Sequence, residues 1–240
     1  MSFTGNATGR PDTDVSKAFR LAHSYLIYDA ANPAAGGPEA TRLRFIGVWD
    51  TVGSLGVPLK TLQWMSVLNS DRYLFHDTKL SGMVEYARHA IAIDEYRADY
   101  TPTLWTPDDQ WPSDRLRQRW FIGAHGDVGG GYDVRQPLAD LALTWMAHEA
   151  RAAGLNVQEP ALAAPDYTAD ITPTHEEFLF GIYKWFSGRA VRPIMRLIAQ
   201  EKSLQYRNQD CDPSVAKRLS QQKSYNPDHE GLRRLAGVIS

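Results

Sequence analysis

Short apolar runs in the chain predict buried strands. "LRFIGVW" at residues 43–49 is continuous and rich in branched and aromatic residues, and "WFI" at residues 120–122 repeats this design before a glycine and a polar loop. Uninterrupted runs of this kind are typical of strands buried on both faces of a mainly parallel sheet, since such strands have no solvent-facing side. We therefore expect a sheet strand at each run.

Amphipathic stretches between these strands and around them predict helices. The clearest is "QPLADLALTWMAHEARAAG", where Pro137 suits the first helical turn and Gly154 ends the pattern. "SGMVEYARHAIAID" is also predicted to be a helix, opened by Ser81, and a looser helical stripe covers residues 15–27.

The alternation of strands and helices indicates an α/β domain with a parallel sheet. Residues 155–173 are rich in Ala and Pro and are typical of a connection. From Thr174 onward, "THEEFLFGIYKWFSG" and "RPIMRLIAQ" predict amphipathic helical pieces. These pieces form either a layer packed on the domain or a lid over an apolar groove, and periodicity does not separate the two alternatives.

Composition excludes several classes of protein. At 240 residues, with 43% hydrophobic and 22% charged content, the chain is long enough for one sizeable core and resembles an ordinary soluble globular protein. A net charge of -2 gives no electrostatic reason to expect nucleic acid as a partner. The single cysteine, Cys211, permits no intramolecular disulfide and, without a neighbouring His, is interpreted as incidental.

The N-terminal residues, "MSFTGNATGRPDTD", are polar and lack the apolar core of a signal peptide. No window approaches the roughly eighteen uninterrupted apolar residues of a transmembrane segment, so none is predicted. We therefore expect a soluble, cytoplasmic product, exported only if a secretion machine that needs no signal peptide carries it.

Two titratable residues come directly after the two predicted strands. Asp50 ends "FIGVWD", and His125 follows "WFIGA". Because the carboxyl ends of parallel strands meet at one edge of a sheet, both side chains would project there, where an aspartate can orient an imidazole and stabilise its protonated form. The placement fits a catalytic acid–base pair and equally fits a structural role, with Asp50 capping the turn "DTVG" and His125 in a loop.

The glycines in "HGDVGGGY" favour the catalytic alternative, because they permit a tight loop that holds His125 over a pocket and offers backbone amide donors. The loop matches neither nucleotide-binding glycine pattern, so no cofactor is predicted. A metal site that combines His125 and Asp127 with His76 and Asp77 is a minor alternative, since spacing does not define three convergent ligands. The remaining histidines interpreted as surface residues are those at 23, 89, 148 and 175.

Longer blocks of the sequence resemble a known family. "RLRFIGVWDTVGSLGVP", "YLFHDTKLSGMVEYARHAIAIDEYRADYTPTLW" and "RQRWFIGAHGDVGGGY" with "PLADLALTWMAHEA" are similar, in this order, to consecutive blocks of one α/β-hydrolase family. That family was long catalogued as a domain of unknown function and includes type VI secretion phospholipase effectors. "DPSVAKRLSQQKSYNPD" is similar to its closing segment, although the family usually shows a His where Asp212 stands.

The resemblance implies a partial α/β-hydrolase-like parallel sheet flanked by helices, with a helical C-terminal region. It also implies a Ser-Asp-His hydrolase that acts on lipid or other ester bonds, with Asp50 as the triad acid and His125 as the triad base. The order Ser, Asp, His in such folds places the nucleophile before Asp50. The family's nucleophile elbow reads like G-F-S-R-G, yet no G-x-S-x-G occurs in the 240 residues.

This departure sets the expected organisation. Residues 1–14 are a polar N-terminal segment, residues 15–173 are the C-terminal part of an α/β-hydrolase-like domain, and residues 174–240 are a helical lid or packing layer of the same domain. The family's first strands, its elbow and its oxyanion-hole loop would precede residue 15.

Three functional hypotheses follow. In the first, the chain is the C-terminal portion of a phospholipase-type ester hydrolase, inactive alone or dependent on a complementing N-terminal segment or protein partner. In the second, it is a catalytically dead hydrolase-fold binding module. In the third, it is an independent hydrolase that uses an unrecognised serine.

Overall fold

The computed structural model of the chain describes residues 14, 43–52, 80–81, 84–106, 112, 114–131, 136–158, 166–174, 190–192, 194, 208–227 and 232–237. Several sequence predictions lie outside these residues and stay predictions. They are the helical stripe at 15–27, the His76 and Asp77 pair, and the helical pieces at 175–189 and 195–200.

A parallel sheet forms the centre of the described structure. Its strands are β1 (Leu43–Trp49), β2 (Val84–Ala92), β3 (Leu116–Phe121) and β4 (Gln209–Cys211), hydrogen-bonded in the order β1-β2-β3-β4. Every neighbouring pair is parallel. The strand predicted at 43–49 is confirmed, and the strand predicted at 120–122 begins earlier, at Leu116.

The helix predicted over "SGMVEYARHAIAID" is wrong, because most of this segment is strand β2. Seven of the nine β2 residues are buried, and the last six, Ala87 to Ala92, form one continuous buried stretch. A strand covered on both faces shows no alternation of polar and apolar residues, so its sequence pattern resembles that of a buried helix. β2 lies between β1 and β3, which accounts for this burial.

Helices cover both faces of the sheet, which confirms the α/β class. They are α1 (His125–Gly129), α2 (Pro137–Ala152), α3 (Pro213–Gln221) and α4 (Leu232–Leu235). The apolar layer on the α2 side includes Ala90, Phe121, Val128, Trp145 and Met146. The layer on the opposite side includes Ile91, Trp120, Val215, Leu219 and Leu232.

The helix predicted around "PLADLALTWMAHEA" is confirmed as α2. Pro137 occupies its first turn, and Gly154 follows its end with a φ of 89°, a conformation that favours glycine. In the described part of the chain, no helix is long and apolar enough to cross a membrane.

Asp212, which stands where the resembling family usually shows His, begins α3. Its carboxylate accepts a hydrogen bond from the Ser214 backbone N–H at 2.9 Å, as an N-cap residue does, and Pro213 occupies the first helical turn. Asp212 therefore has a local structural role in this chain.

A buried ion pair joins the sheet to α2. Arg88 of β2 donates to Glu149 of α2, and the two side chains are 4% and 7% exposed. Glu149 also accepts from Arg117 at 3.1 Å. Arg88 also donates to the carbonyls of Ala87, Asp114 and Arg115, but among the described residues its ion-pair partner is Glu149. Because Arg88 is removed from water, its charge needs this carboxylate.

Replacing Glu149 by Ala is expected to lower the free energy of unfolding by about 3 kcal/mol, since it leaves the Arg88 charge buried and unpaired. Urea denaturation followed by circular dichroism measures the change. Glu85→Ala is the matched control, because Glu85 pairs with the exposed Arg44 and its loss should change stability little. Equal losses in the two variants would contradict this expectation.

Candidate active site

Asp50 lies at the carboxyl end of β1 and is fully buried. It is the one non-glycine residue with positive φ among the described residues, at 40°, a region that Asp tolerates better than most residues. Its backbone N–H donates to the Ala90 carbonyl of β2 at 2.7 Å. The chain thus turns sharply off the sheet and holds the carboxylate at the sheet edge.

Each oxygen of the Asp50 carboxylate has two hydrogen-bond partners. Oδ1 accepts from Ala92 N at 2.9 Å and from Arg192 at 2.5 Å, and Oδ2 accepts from Arg192 at 2.9 Å and lies 2.7 Å from His125 Nδ1. Burial alone would raise the pKa of Asp50. The charge of Arg192 and the hydrogen bonds from His125, Arg192 and Ala92 outweigh it and hold the pKa of Asp50 well below its usual range.

His125 opens α1, just beyond β3, and its side chain is 35% exposed. The ring of Tyr100 contacts the imidazole edge to face, with the ring centroids 5.2 Å apart. The two residues predicted to meet at the sheet edge, Asp50 and His125, are thus hydrogen-bond partners although β2 separates their strands. Their catalytic role stays a prediction at this point.

Three successive backbone amides around His125 each donate to a carboxylate. Gly123 N donates to Asp94 at 2.8 Å, Ala124 N to Asp127 at 2.9 Å, and His125 N to Glu95 at 3.3 Å. Residues 125–129 of the stretch that was expected to form a tight glycine-rich loop form helix α1. The His125 amide, and the two amides that precede this stretch, are engaged by carboxylates of the protein.

Asp94, two residues after the end of β2, links this loop to the C-terminal region. Its carboxylate accepts from the Tyr225 hydroxyl at 3.0 Å as well as from Gly123 N. Burial raises the pKa of Asp94 to about 6, although these two hydrogen bonds oppose the shift.

Glu95, the next residue, is also fully buried. It accepts from the Arg97 side chain at 2.8 and 2.9 Å and from the Thr174 hydroxyl at 3.2 Å. Burial would raise the pKa of Glu95, but the hydrogen bonds and charge of Arg97 lower it below its ordinary value. Glu95 is therefore an ionised anchor for the amide of His125.

His89 lies inside β2 and is fully buried, so its interpretation as a surface residue is wrong. The error follows from assigning the segment to a helix, because a central strand has no exposed side. The Thr51 backbone N–H donates to His89 Nε2 at 3.1 Å, which requires an unprotonated Nε2. Burial lowers the pKa of His89 to about 4.

The other sequence candidates that lie among the described residues do not join the site. The Asp127 carboxylate accepts hydrogen bonds from Ala124 N and from the Thr172 hydroxyl, the latter at 2.6 Å. Within the described ranges, no group of three or more His, Cys, Asp or Glu side chains could hold a metal ion. Burial raises the pKa of Cys211 to about 12, so its thiol is not ionised at neutral pH. His148 is exposed on α2, as predicted.

Sequence reasoning missed Arg192, Asp94 and Glu95. The acidic pair had a usable signal, because it directly follows the apolar end of a strand, the same placement that singled out Asp50. Assigning the segment to a helix hid that signal. Arg192 had none, since it lies 142 positions after the carboxylate that it contacts.

The opposite pKa shifts of His89 and Asp94 predict compensating effects on stability. Between pH 5 and 6.5, neutral His89 makes the folded state more stable as pH rises, because the unfolded chain binds the extra proton. Asp94 makes it less stable over the same interval, because the folded chain retains the proton longer. Across this pH interval each group is expected to change the free energy of unfolding by about 1–2 kcal/mol, and the two changes should largely cancel.

Single variants should separate the two slopes. In His89→Gln the free energy of unfolding is expected to fall between pH 5 and 6.5, and in Asp94→Asn it is expected to rise. Urea denaturation at several pH values measures both, with the unmodified chain as the reference. Parallel pH curves for the two variants would refute the opposed assignments.

A comparison with protein families gives a match to this chain. The model of the type VI secretion phospholipase effector Tle1-like catalytic domain matches residues 10–149, more than half of the sequence. Comparisons with curated proteins and with solved structures gave no match. The matched range contains Asp50, His125 and strands β1 to β3. The chain therefore belongs to the family of Tle1-like phospholipase effector catalytic domains of type VI secretion.

Proposed function

We propose that this chain supplies the acid and the base of a Ser-Asp-His phospholipase-type ester hydrolase. The observation that carries the proposal is the 2.7 Å contact between His125 Nδ1 and Asp50 Oδ2, at the carboxyl edge of a parallel sheet. Membership of a phospholipase effector family supports a lipid ester as the substrate and type VI secretion as the route of export.

The proposed chemistry divides the work between a buried acid and an accessible base. Asp50, ionised and fully buried, holds the His125 ring through Nδ1 and stabilises the imidazolium that forms during reaction. Nε2 of the partly exposed ring then takes the proton of the attacking hydroxyl and returns it to the leaving group.

The nucleophile is the part of the proposal that this sequence does not supply in recognisable form. No G-x-S-x-G occurs in the 240 residues. We place the serine in a separate N-terminal segment, without which the chain is inactive, since loss of a triad nucleophile removes about six orders of magnitude from kcat. An in-frame or frameshifted G-x-S-x-G in the DNA directly upstream would support this assignment.

The missing motif also supports a second candidate, a catalytically dead relative that serves as a binding module. A fluorophosphonate probe, which labels activated serines, separates the possibilities when applied to the purified chain. Absence of label fits the first two functions. Label that disappears in both Asp50→Ala and His125→Ala would instead establish an independent hydrolase with an unrecognised serine.

When the chain is combined with a G-x-S-x-G segment encoded upstream, Asp50→Asn is expected to lower kcat about 10⁴-fold and His125→Ala about 10⁶-fold. Asn tolerates the positive φ at this position, so the first change removes the charge and leaves the backbone turn in place. Fatty-acid release from phospholipid vesicles measures the rates.

The control variants change residues of the same two types, an aspartate and a histidine, that lie outside the site. Asp210→Asn changes a 47% exposed carboxylate on β4, and His148→Ala changes an exposed histidine on α2. Both should retain the activity of the unmodified protein. If combined protein hydrolyses lipid and Asp50→Asn leaves that rate unchanged, the proposed acid is wrong. If no upstream G-x-S-x-G exists and the folded chain never hydrolyses an ester, the binding module is the better account.

A further inference from the structure

We propose that Arg192 is a positioning residue that fixes the Asp50 carboxylate in the orientation that holds His125. This inference rests on the proposed function, because it concerns the same acid and base. Arg192 is 4% exposed and donates to both Asp50 oxygens, at 2.5 and 2.9 Å. A planar guanidinium that engages both oxygens determines the plane of the carboxylate as well as compensating its charge.

Arg192 also contacts the surroundings of the acid and the base. Its guanidinium donates to the Ala92 carbonyl at 2.7 Å and to the Tyr100 carbonyl at 2.6 Å. Ala92 supplies the amide that donates to Asp50, and Tyr100 supplies the ring that contacts His125. One side chain therefore links the acid, its backbone donor and the residue packed on the base.

The Asp50 carboxylate depends on these contacts for its orientation. Without Arg192, the described donors to Asp50 are Ala92 N and His125 Nδ1, one for each oxygen. A fully buried carboxylate with these two donors is poorly compensated for its charge and binds a proton more readily. His125 would then lose the fixed, charged partner that sets its tautomer and ring orientation.

Neighbouring main-chain contacts keep Arg192 in place. Ala190 N donates to the Tyr96 carbonyl at 2.9 Å, and Ile194 is 1% exposed within the core. The backbone on one side of Arg192 is thus bonded to the loop after β2, and the residue on the other side is buried in the apolar layer. This arrangement suits a residue whose geometry, and not its charge alone, matters to the site.

The chain offers a matched control in Arg119. Arg119 also forms a two-point pair with an aspartate, Asp210, at 2.6 and 2.7 Å. That pair lies on β3 and β4 and contacts neither Asp50 nor His125 in the described structure. If Arg192 acted only by joining two parts of the fold, replacing Arg192 and replacing Arg119 would have the same effect on the surroundings of His125.

The test is histidine-selective ¹⁵N NMR of the full chain, which requires no enzymatic activity. The Nδ1–H of His125 should give a low-field, slowly exchanging resonance that is lost in His125→Asn and changed in Asp50→Asn. In Arg192→Gln we expect this proton to exchange with water at least about tenfold faster, because a hydrogen bond to a charged group that is weakened by about 1.4 kcal/mol opens about tenfold more often. Arg119→Gln should leave its exchange unchanged.

Arg192→Lys is a second variant that tests the same role if Arg192→Gln fails to fold. It keeps the positive charge but cannot engage both carboxylate oxygens in a plane, so exchange should again be faster while the backbone amide spectrum stays native. Exchange equal to that of the unmodified chain in a folded Arg192→Lys, or in a folded Arg192→Gln, would overturn the positioning role and leave the proposed function intact.

Absence of any resonance that depends on both His125 and Asp50 would overturn the acid–base pair and, with it, both proposals. A resonance that depends on Arg192 supports the inference whether or not the lipid assay detects hydrolysis, so failure of the proposed function in that assay is distinguished from failure of the positioning role.

Discussion

The described structure depends on one constraint, the burial of the Asp50 charge at the end of β1. A carboxylate that is removed from water is stable only when its oxygens receive enough donors and a compensating charge. The protein meets this demand with Ala92 from β2, His125 after β3 and Arg192 from a distant part of the chain. Satisfying one carboxylate therefore brings together the ends of the strands and the later segment.

The same principle recurs in the loop that carries His125. Asp94, Glu95 and Asp127 each accept one of three successive amides, so carboxylates fix the backbone as well as the ring. This loop needs no metal or bound anion to satisfy these amides. His125 is held through its backbone N–H, which donates to Glu95, through ring Nδ1 and through the Tyr100 ring, and these contacts limit its movement on several sides.

The sequence was informative where the end of a single strand determined the position of a site residue. An apolar run followed by a polar residue was enough to place Asp50 and His125 at one edge, because parallel strands end together. It was misleading for β2, where burial on both faces removed the alternation that marks a strand, and this error also misplaced His89 and concealed Asp94 and Glu95. Arg192 was beyond local patterns altogether, since only the three-dimensional fold brings it to Asp50.

The separation of Arg192 from Asp50 has a consequence for how the protein is made. Asp50 leaves the ribosome 142 residues before the cation that compensates it. Until that cation is synthesised, burying the carboxylate costs more than leaving it in water, so the nascent chain keeps this edge of the sheet open. The order of synthesis thus delays completion of the site until the segment that carries Arg192 has been made, and a product that stops before Arg192 retains a hydrated Asp50 without the cation that compensates it.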